Sequence, residues 1–263
     1  MATHRQEFAE QFFSGNATTY DKIATFSTLG LDRLWKRTVL NKIPKTSKRI
    51  LEQASGTGIL TCKIAQRFPK GHITGVELHE EYLAIAREKA RKLSNVEFIH
   101  GRAEEVMVEG EVDCIVSAYL AKYVDLNLLV VHARKMLCAG GVLIMHELTR
   151  PTNLLFLALW KMHFKFLQTY GRWKHPEWGI AFRDVPLLLE KVQWVDELTR
   201  ALRANKFTDL KVEYLIFGAS GDYLSKKITV HRSKRIRIMT VYGTDGSAER
   251  SLAVPRDFAR HTQ

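Results

Sequence analysis

The sequence predicts an α/β protein, a three-layer sandwich built on a mostly parallel, seven-stranded, doubly wound sheet. Three observations carry this. An apolar stretch at 48–53 runs through Glu52 into a paired-glycine turn, Gly56 and Gly58, that opens a helix. A second apolar stretch ends on an acid, Glu77, nineteen residues after Gly58. Strand-like and helix-like patterns then alternate along the chain, which is the rhythm of parallel crossovers.

Taken in order, residues up to about 44 form helices outside the core. Strand 48–53 passes through the glycine turn into helix 59–68, and strand 73–77 leads to helix 80–92. Strands at 96–99 and 112–117 follow, then helix 126–137 and strand 141–147. An insertion spans 150–189. Helix 193–205 leads into two strands, 210–217 and 223–231, with no helix between them, so an antiparallel hairpin closes one sheet edge. The domain limits are therefore a single domain over 1–231, with an N-terminal helical cap at 1–44 and the insertion at 150–189, and a basic extension at 232–263 to which no role is assigned.

A residue without a β-carbon lets the backbone approach a ligand closely, so Gly56 and Gly58 read as the floor of a cofactor site. A carboxylate at the end of the next strand, Glu77, can accept hydrogen bonds from both hydroxyls of a ribose. Dinucleotide binding fits this pattern less well. The third fingerprint position is Thr61 rather than Gly or Ala, and Glu52 sets a negative charge close to where a diphosphate would lie. A ligand with a cationic end and no phosphate suits Glu52 better, and S-adenosylmethionine has that character.

With an acid followed by a Gly-x-Gly turn, Glu52, Gly56 and Gly58, the chain resembles the class I S-adenosylmethionine-dependent methyltransferases, which share a Rossmann-like fold. A narrower resemblance is to the ubiquinone/menaquinone biosynthesis C-methyltransferase family. It rests on Tyr20-Asp21 with the run STLGLDRLWKR at 27–37, on MLCAGG at 136–141, and on the segment from Glu147 to Pro151 after the fifth strand, and it covers about residues 12 to 230. It implies S-adenosylmethionine held by Glu52, Ala54, Gly56 and Gly58 in the turn, Glu77 and Leu78 at the second strand end, Arg102 and Ala103 after the third, and Ser117 at the fourth.

Two departures from the family pattern bear on chemistry. The family's Arg-Asn pair near the ring is Lys122-Tyr123 here, and Lys lacks the planar fork of Arg. Arg102 stands where the family has an Asp that reads adenine, which leaves adenine to backbone groups or Glu104. Methyl transfer is an in-line displacement that needs alignment and exclusion of water, and no metal. A ring-carbon nucleophile gains from a base that removes a hydroxyl proton with an ordinary pKa of about 10. His146, at the end of strand five, is the preferred base, with Tyr119 and Lys122 as the other catalytic candidates and Glu147 after them.

The helix-like stretch at 153–170 is too apolar for an ordinary surface and too charged, at Lys161 and Lys165, to span a bilayer. No acid occurs between Glu147 and Glu177, whereas Arg150, Lys161, Lys165, Arg172 and Lys174 are basic. Such a segment suits a lid over a lipophilic acceptor and also suits contact with anionic lipid. The net charge of +12 is shared by nucleic-acid- and membrane-binding proteins, and nucleic acid is the weaker fit. A basic, alternating segment runs from 226 to 237, and reads equally as a charged edge strand. Cys62, Cys114 and Cys138 are odd in number and widely spaced, which points to buried free thiols rather than disulfides or zinc. No apolar run reaches the ~18 residues of a membrane span, so the expected location is the cytosol, with peripheral contact at the inner face of the membrane.

The leading expectation is C-methylation of a prenylated quinol such as demethylmenaquinol. The alternatives are methylation of another amphipathic acceptor such as a phospholipid amine, and a basic module that binds RNA or a partner on the same fold.

Overall fold

The structure is a computed structural model, and it describes residues 9–10, 12–215 and 218–227. The chain divides into two units, Met1–Val230 and His231–Gln263. The expected extension at 232–263, the basic segment beyond Lys227 and the end of the last strand lie outside the described residues.

In chain order the elements are α1 (Ala17–Ser27), α2 (Leu31–Lys42), β1 (Arg49–Gln53), α3 (Ile59–Arg67), β2 (His72–Glu77), α4 (Glu80–Ala90), β3 (Val96–His100) and β4 (Val112–Ala118). They continue with α5 (Leu126–Met136), β5 (Leu137–Leu148), α6 (Leu154–Lys174), a 3-10 turn at Pro176–Trp178, α7 (Gly179–Lys191), α8 (Trp194–Ala204), β6 (Phe207–Leu215) and β7 (Ser220–Lys227). The seven strands form one sheet in the order β3-β2-β1-β4-β5-β7-β6. The pairings from β3 through β5 are parallel, and β7 is antiparallel to both β5 and β6. This is the doubly wound sheet with a terminal hairpin that the sequence implies.

Strand alternation explains the layers, because successive side chains point to opposite faces. Ile50, Cys114, Val116 and Ile144 join Val39, Leu60 and Ile64 in the core beneath α2 and α3. Their neighbours Leu51, Ile115, Leu143 and Met145 face the other way and pack with Leu129, Ala133, Leu198 and Leu202 of α5 and α8. Strands covered on both faces are apolar on successive residues, as at Ile50-Leu51 in β1 and Cys114-Ile115-Val116 in β4, and the polar residues cluster at their ends. Two helix starts are fixed by side chains: Asp125 caps α5 and Asn153 caps α6, each accepting from two backbone N–H groups.

The insertion is longer than its expected limit, since α7 runs to Lys191. It packs on the N-terminal segment through Phe12, Ile23, Leu167, Trp178, Ala181 and Phe182. Trp178 Nε1 donates to Thr19 Oγ1 at 2.8 Å, tying the lid to α1. All three cysteines are free; Cys114 is buried, whereas Cys62 and Cys138 are half-buried. No helix among the described residues is long and apolar enough to cross a membrane.

Candidate active site

Strand order reverses between β1 and β4, and the crevice at such a reversal is where open α/β sheets bind ligands. A cavity lies there, walled by Ala54, Gly56, Glu77, Leu78, Arg102 and Ala103 among others. The two turn glycines have different jobs. Gly56 has φ +56° and a Cβ there would meet nothing within 4 Å, so its surface is open to the cavity. Gly58 has φ +78°, and a Cβ there would sit 2.9 Å from Cβ of Ala86, so its role is to let α3 start hard against α4. Ala54 also adopts a left-handed conformation, with φ 57°, which the tight turn imposes.

Glu77 is 7 % exposed. Its Oε2 accepts from the Gly56 N–H at 2.8 Å and its Oε1 from the His79 N–H at 3.1 Å, so the carboxylate braces the glycine turn from the cavity side. Burial raises its pKa, against the lowering by those backbone donors. Arg102 is drawn across the same wall by its ion pair with Glu10. Ala103 offers its carbonyl to Gln53 Nε2 at 3.0 Å.

Three of the sequence-selected cofactor residues do not line this cavity. Gly58 faces α4, as above. Glu52 is buried behind the turn, where its Oε2 accepts from Thr61 Oγ1 at 2.5 Å, and burial raises its pKa to about 8. Ser117 is fully buried in β4 beside Gln53, and its hydroxyl has no partner among the described residues.

A second cavity of about 330 Å³ opens beneath the lid. Its walls are largely apolar, including Ile23, Leu31, Trp35, Phe156, Trp160 and Phe164. Phe13, Tyr20, Tyr119 and Tyr123 line both cavities, so the two spaces meet at an aromatic partition. Burial holds the phenols of Tyr20, Tyr119 and Tyr123 above their usual range, and each stays protonated at neutral pH.

The three catalytic candidates converge on this partition from different sides. Tyr119 has φ +63°, rare for a bulky residue, and its hydroxyl donates to Asp32 Oδ1 at 2.9 Å. Lys122 lines the apolar cavity; its Nζ donates to Glu147 Oε1 at 2.7 Å and to the Tyr119 carbonyl at 3.0 Å. Burial lowers its pKa, and the Glu147 carboxylate opposes that shift. His146 lies against the rings of Trp35 and Tyr119, at 5.4 and 5.3 Å, but lines neither cavity. Its Nδ1 donates to Asp222 Oδ1 at 2.5 Å, and its buried Nε2 has no partner among the described residues.

Sequence reasoning passed over Asp32, Lys36 and Asp222. Asp32 and Lys36 pair within α2 and are buried with Trp35 and Val39, the stripe that faces the core. Two charges on an apolar stripe are a legible signal. Asp222 carries no such mark; only the β5–β7 register, which sets it opposite His146, reveals it. Its second oxygen accepts from Lys42 Nζ at 2.6 Å. His163 of α6 lines the apolar cavity, with Nε2 hydrogen-bonded to the Ser27 carbonyl at 2.8 Å.

Comparison with known proteins bears on the family and the fold. Residues 1–175 match the model of the ubiE/COQ5 methyltransferase family. A demethylmenaquinone methyltransferase of Staphylococcus aureus (strain JH9) is 22 % identical over 236 residues, covering 84 % of this chain and 94 % of that protein. Among solved structures, the pyocyanin biosynthetic protein PhzM is similar with a TM-score of 0.59 at 14 % identity, over 84 % of this chain and 61 % of that one. Human N-acetylserotonin methyltransferase, solved in complex with S-adenosylmethionine, gives a TM-score of 0.56 at 16 % identity, over 84 % of this chain and 60 % of that one. The chain thus spans about three fifths of these two longer structures, and at such identities they speak for the fold.

Proposed function

The chain belongs to the ubiE/COQ5 methyltransferase family, as an S-adenosylmethionine-dependent enzyme, and on that premise we propose that it methylates a ring carbon of a prenylated quinol such as demethylmenaquinol. The observation that carries this is the pair of cavities sharing one aromatic partition. One is a cradle beside a glycine turn and a buried carboxylate; the other is apolar and roofed by a lid. A ring held at the partition has its tail in the apolar cavity and its reacting edge toward the cofactor.

The cradle fits the cofactor chemically. Open space at Gly56 admits it, and Glu77 keeps lone pairs for ribose hydroxyls while it holds the turn. When bound, S-adenosylmethionine supplies an electrophilic methyl on a sulfonium. The protein's own work is then to hold the acceptor in line and keep water out. Lys122 places a positive charge at the partition, where it can hold an acceptor oxygen as negative charge develops. Tyr119, which lines both cavities, is in position to meet that oxygen, whereas His146 lies behind it.

The acceptor's source is in keeping with the lid. On α6, Leu155 (67 % exposed), Met162 (63 %), Phe166 (54 %) and Trp173 (80 %) face outward on one helical stripe. Phe156, Trp160 and Phe164 of the same helix face the cavity. The outer stripe is flanked by exposed Lys161 and Lys165 and has no acid near it in sequence. An apolar stripe with basic flanks suits an anionic bilayer, from which a prenylated ring can pass beneath the lid.

The test is methyl transfer from labelled S-adenosylmethionine to demethylmenaquinol in phosphatidylglycerol–phosphatidylethanolamine vesicles, which offer both the quinol and a lipid amine. Expected is a new carbon-bound methyl, with vesicle binding lost in a Met162→Glu/Phe166→Glu variant that still binds cofactor. Label on a lipid amine in place of the quinol would transfer the assignment to a phospholipid acceptor. Vesicle binding unaffected by the two glutamates would remove the lid from membrane contact.

A further inference from the structure

The geometry points to Asp32 as the proton acceptor for the acceptor's hydroxyl, acting through Tyr119. This rests on the quinol reading above. Tyr119 lines both cavities and its hydroxyl ties the partition to the protein interior: it donates to Asp32 Oδ1 at 2.9 Å, and Asp32 is 3 % exposed. Asp32 is otherwise held by Lys36, one turn along α2, and its backbone N–H donates to Thr28 Oγ1 at 3.2 Å. The left-handed backbone of Tyr119, fixed by its N–H donating to the His146 carbonyl at 2.8 Å, aims the ring across the partition. A bulky residue kept in that conformation is the kind of strain that gathers at working sites.

The charged and titratable groups facing Tyr119 come from every element around it. Asp32 and Lys36 lie on α2, with Lys36 Nζ 5.3 Å from the ring centroid. Tyr20 comes from α1, His146 and Glu147 from β5, and Lys122 Nζ lies 5.7 Å from the ring centroid. Asp32 and Glu147 both disfavour a charged phenolate at Tyr119, so Tyr119 is a carrier and not a store of charge. Lys36 pairs with Asp32 through Oδ1, the same oxygen that accepts from Tyr119.

In the step, the acceptor's O–H bond breaks and its proton goes to Tyr119 Oη, while the Tyr119 proton passes to Asp32 Oδ1. The freed electron pair on the acceptor oxygen is delocalised into the ring, whose carbon bonds the methyl as the C–S bond breaks and its electron pair stays on sulfur. The ring carbon then sheds its hydrogen to solvent as a proton, and the acceptor oxygen recovers the relayed proton from Asp32 through Tyr119. One proton leaves for each methyl gained. Asp32 is therefore a positioning and relay residue, and Tyr119 the catalytic one.

The experiment measures kcat and KM for a short-tailed demethylmenaquinol across pH 6 to 10 in wild type, Asp32→Asn and Tyr119→Phe, with S-adenosylhomocysteine affinity as the check on folding. Without the relay the acceptor must ionise unaided, with an ordinary pKa of about 10. Both variants should lose about 10²–10⁴-fold in kcat near neutral pH, recover steadily as pH rises, and keep KM within a few-fold. Asp32→Glu should restore part of the neutral-pH rate. A loss equal at every pH, or a wild-type profile in both variants, would overturn the relay while quinol methylation by wild type stands. No methylation of the quinol by cofactor-loaded wild type would overturn the acceptor reading and this inference with it.

Discussion

Substituting each turn glycine by alanine separates the two jobs that the turn performs. Both residues have positive φ, so a side chain at either costs roughly 1–2 kcal/mol of backbone strain. At Gly58 the new methyl would also lie 2.9 Å from Cβ and 3.1 Å from Cα of Ala86, in a place where neither helix can yield freely. Overpacking of that kind typically adds ~1–3 kcal/mol, for a total of about 2–5 kcal/mol. At roughly 2–4 °C per kcal/mol for a domain of this size, Gly58→Ala should lower Tm by about 4–20 °C and Gly56→Ala by about 2–8 °C. The order reverses for the cofactor. Gly56→Ala puts a methyl on the cavity wall and should weaken S-adenosylhomocysteine at least tenfold, whereas Gly58→Ala should bind it nearly as wild type when measured below its Tm. Scanning calorimetry and isothermal titration provide the two readouts. If Gly58→Ala proves as stable as Gly56→Ala, or if Gly56→Ala binds as tightly as wild type, the division of roles is wrong.

Three further outcomes follow from the buried charges. Glu77→Ala should weaken S-adenosylhomocysteine by ~1.5–3 kcal/mol in calorimetry, through loss of a charged acceptor at the ribose position; unchanged affinity would place the ribose elsewhere. Glu52 has its pKa raised from 4.5 to about 8 by burial, so the folded state holds a proton that the unfolded chain releases. Its contribution to stability is therefore full below pH 4.5, declines by about 1.4 kcal/mol per pH unit as pH rises toward 8, and is gone above that. The difference in urea midpoints between wild type and Glu52→Gln should trace this decline, and parallel curves would contradict it. Lys122→Met leaves the fully buried Glu147 without its 2.7 Å partner and should destabilise by ~3–5 kcal/mol; Lys122→Met/Glu147→Gln should recover much of that in denaturant melts, and failure to do so would deny the pair its coupling.

The sheet was legible because its signals are local. Paired glycines, an acid at a strand end and apolar runs of strand length each follow from backbone geometry within a few residues, and β1, β2 and β4 lie where those runs place them. The lid was legible as a segment, since an acid-free apolar helix must cover something. Its two-sided character emerged only from packing, because Phe156 and Trp160 turn inward while Met162 and Phe166 turn outward on a helix that is apolar nearly all round. The acid of the glycine motif was legible as a residue but not as a direction. Glu52 alternates with Leu51 and Gln53, and strand parity together with Thr61 takes it behind the turn. Asp222 was hidden for a different reason: it lies seventy-six residues from His146 in sequence, and the two meet only through strand pairing. Asp32 was visible as a charge on a buried stripe, although its partner Tyr119 lies eighty-seven residues away.

The central claim is that a lipophilic ring and the methyl donor meet at the partition formed by Phe13, Tyr20, Tyr119 and Tyr123. The most direct measurement is the structure of the protein with S-adenosylhomocysteine and a short-tailed demethylmenaquinol bound. The account expects the cofactor against Gly56 and Glu77, the isoprenoid among Trp35, Trp160 and Phe164, and the ring hydroxyl within hydrogen-bonding distance of Tyr119 Oη or Lys122 Nζ. A quinol bound outside the lidded cavity, or a cofactor that leaves Glu77 without contact, would contradict it.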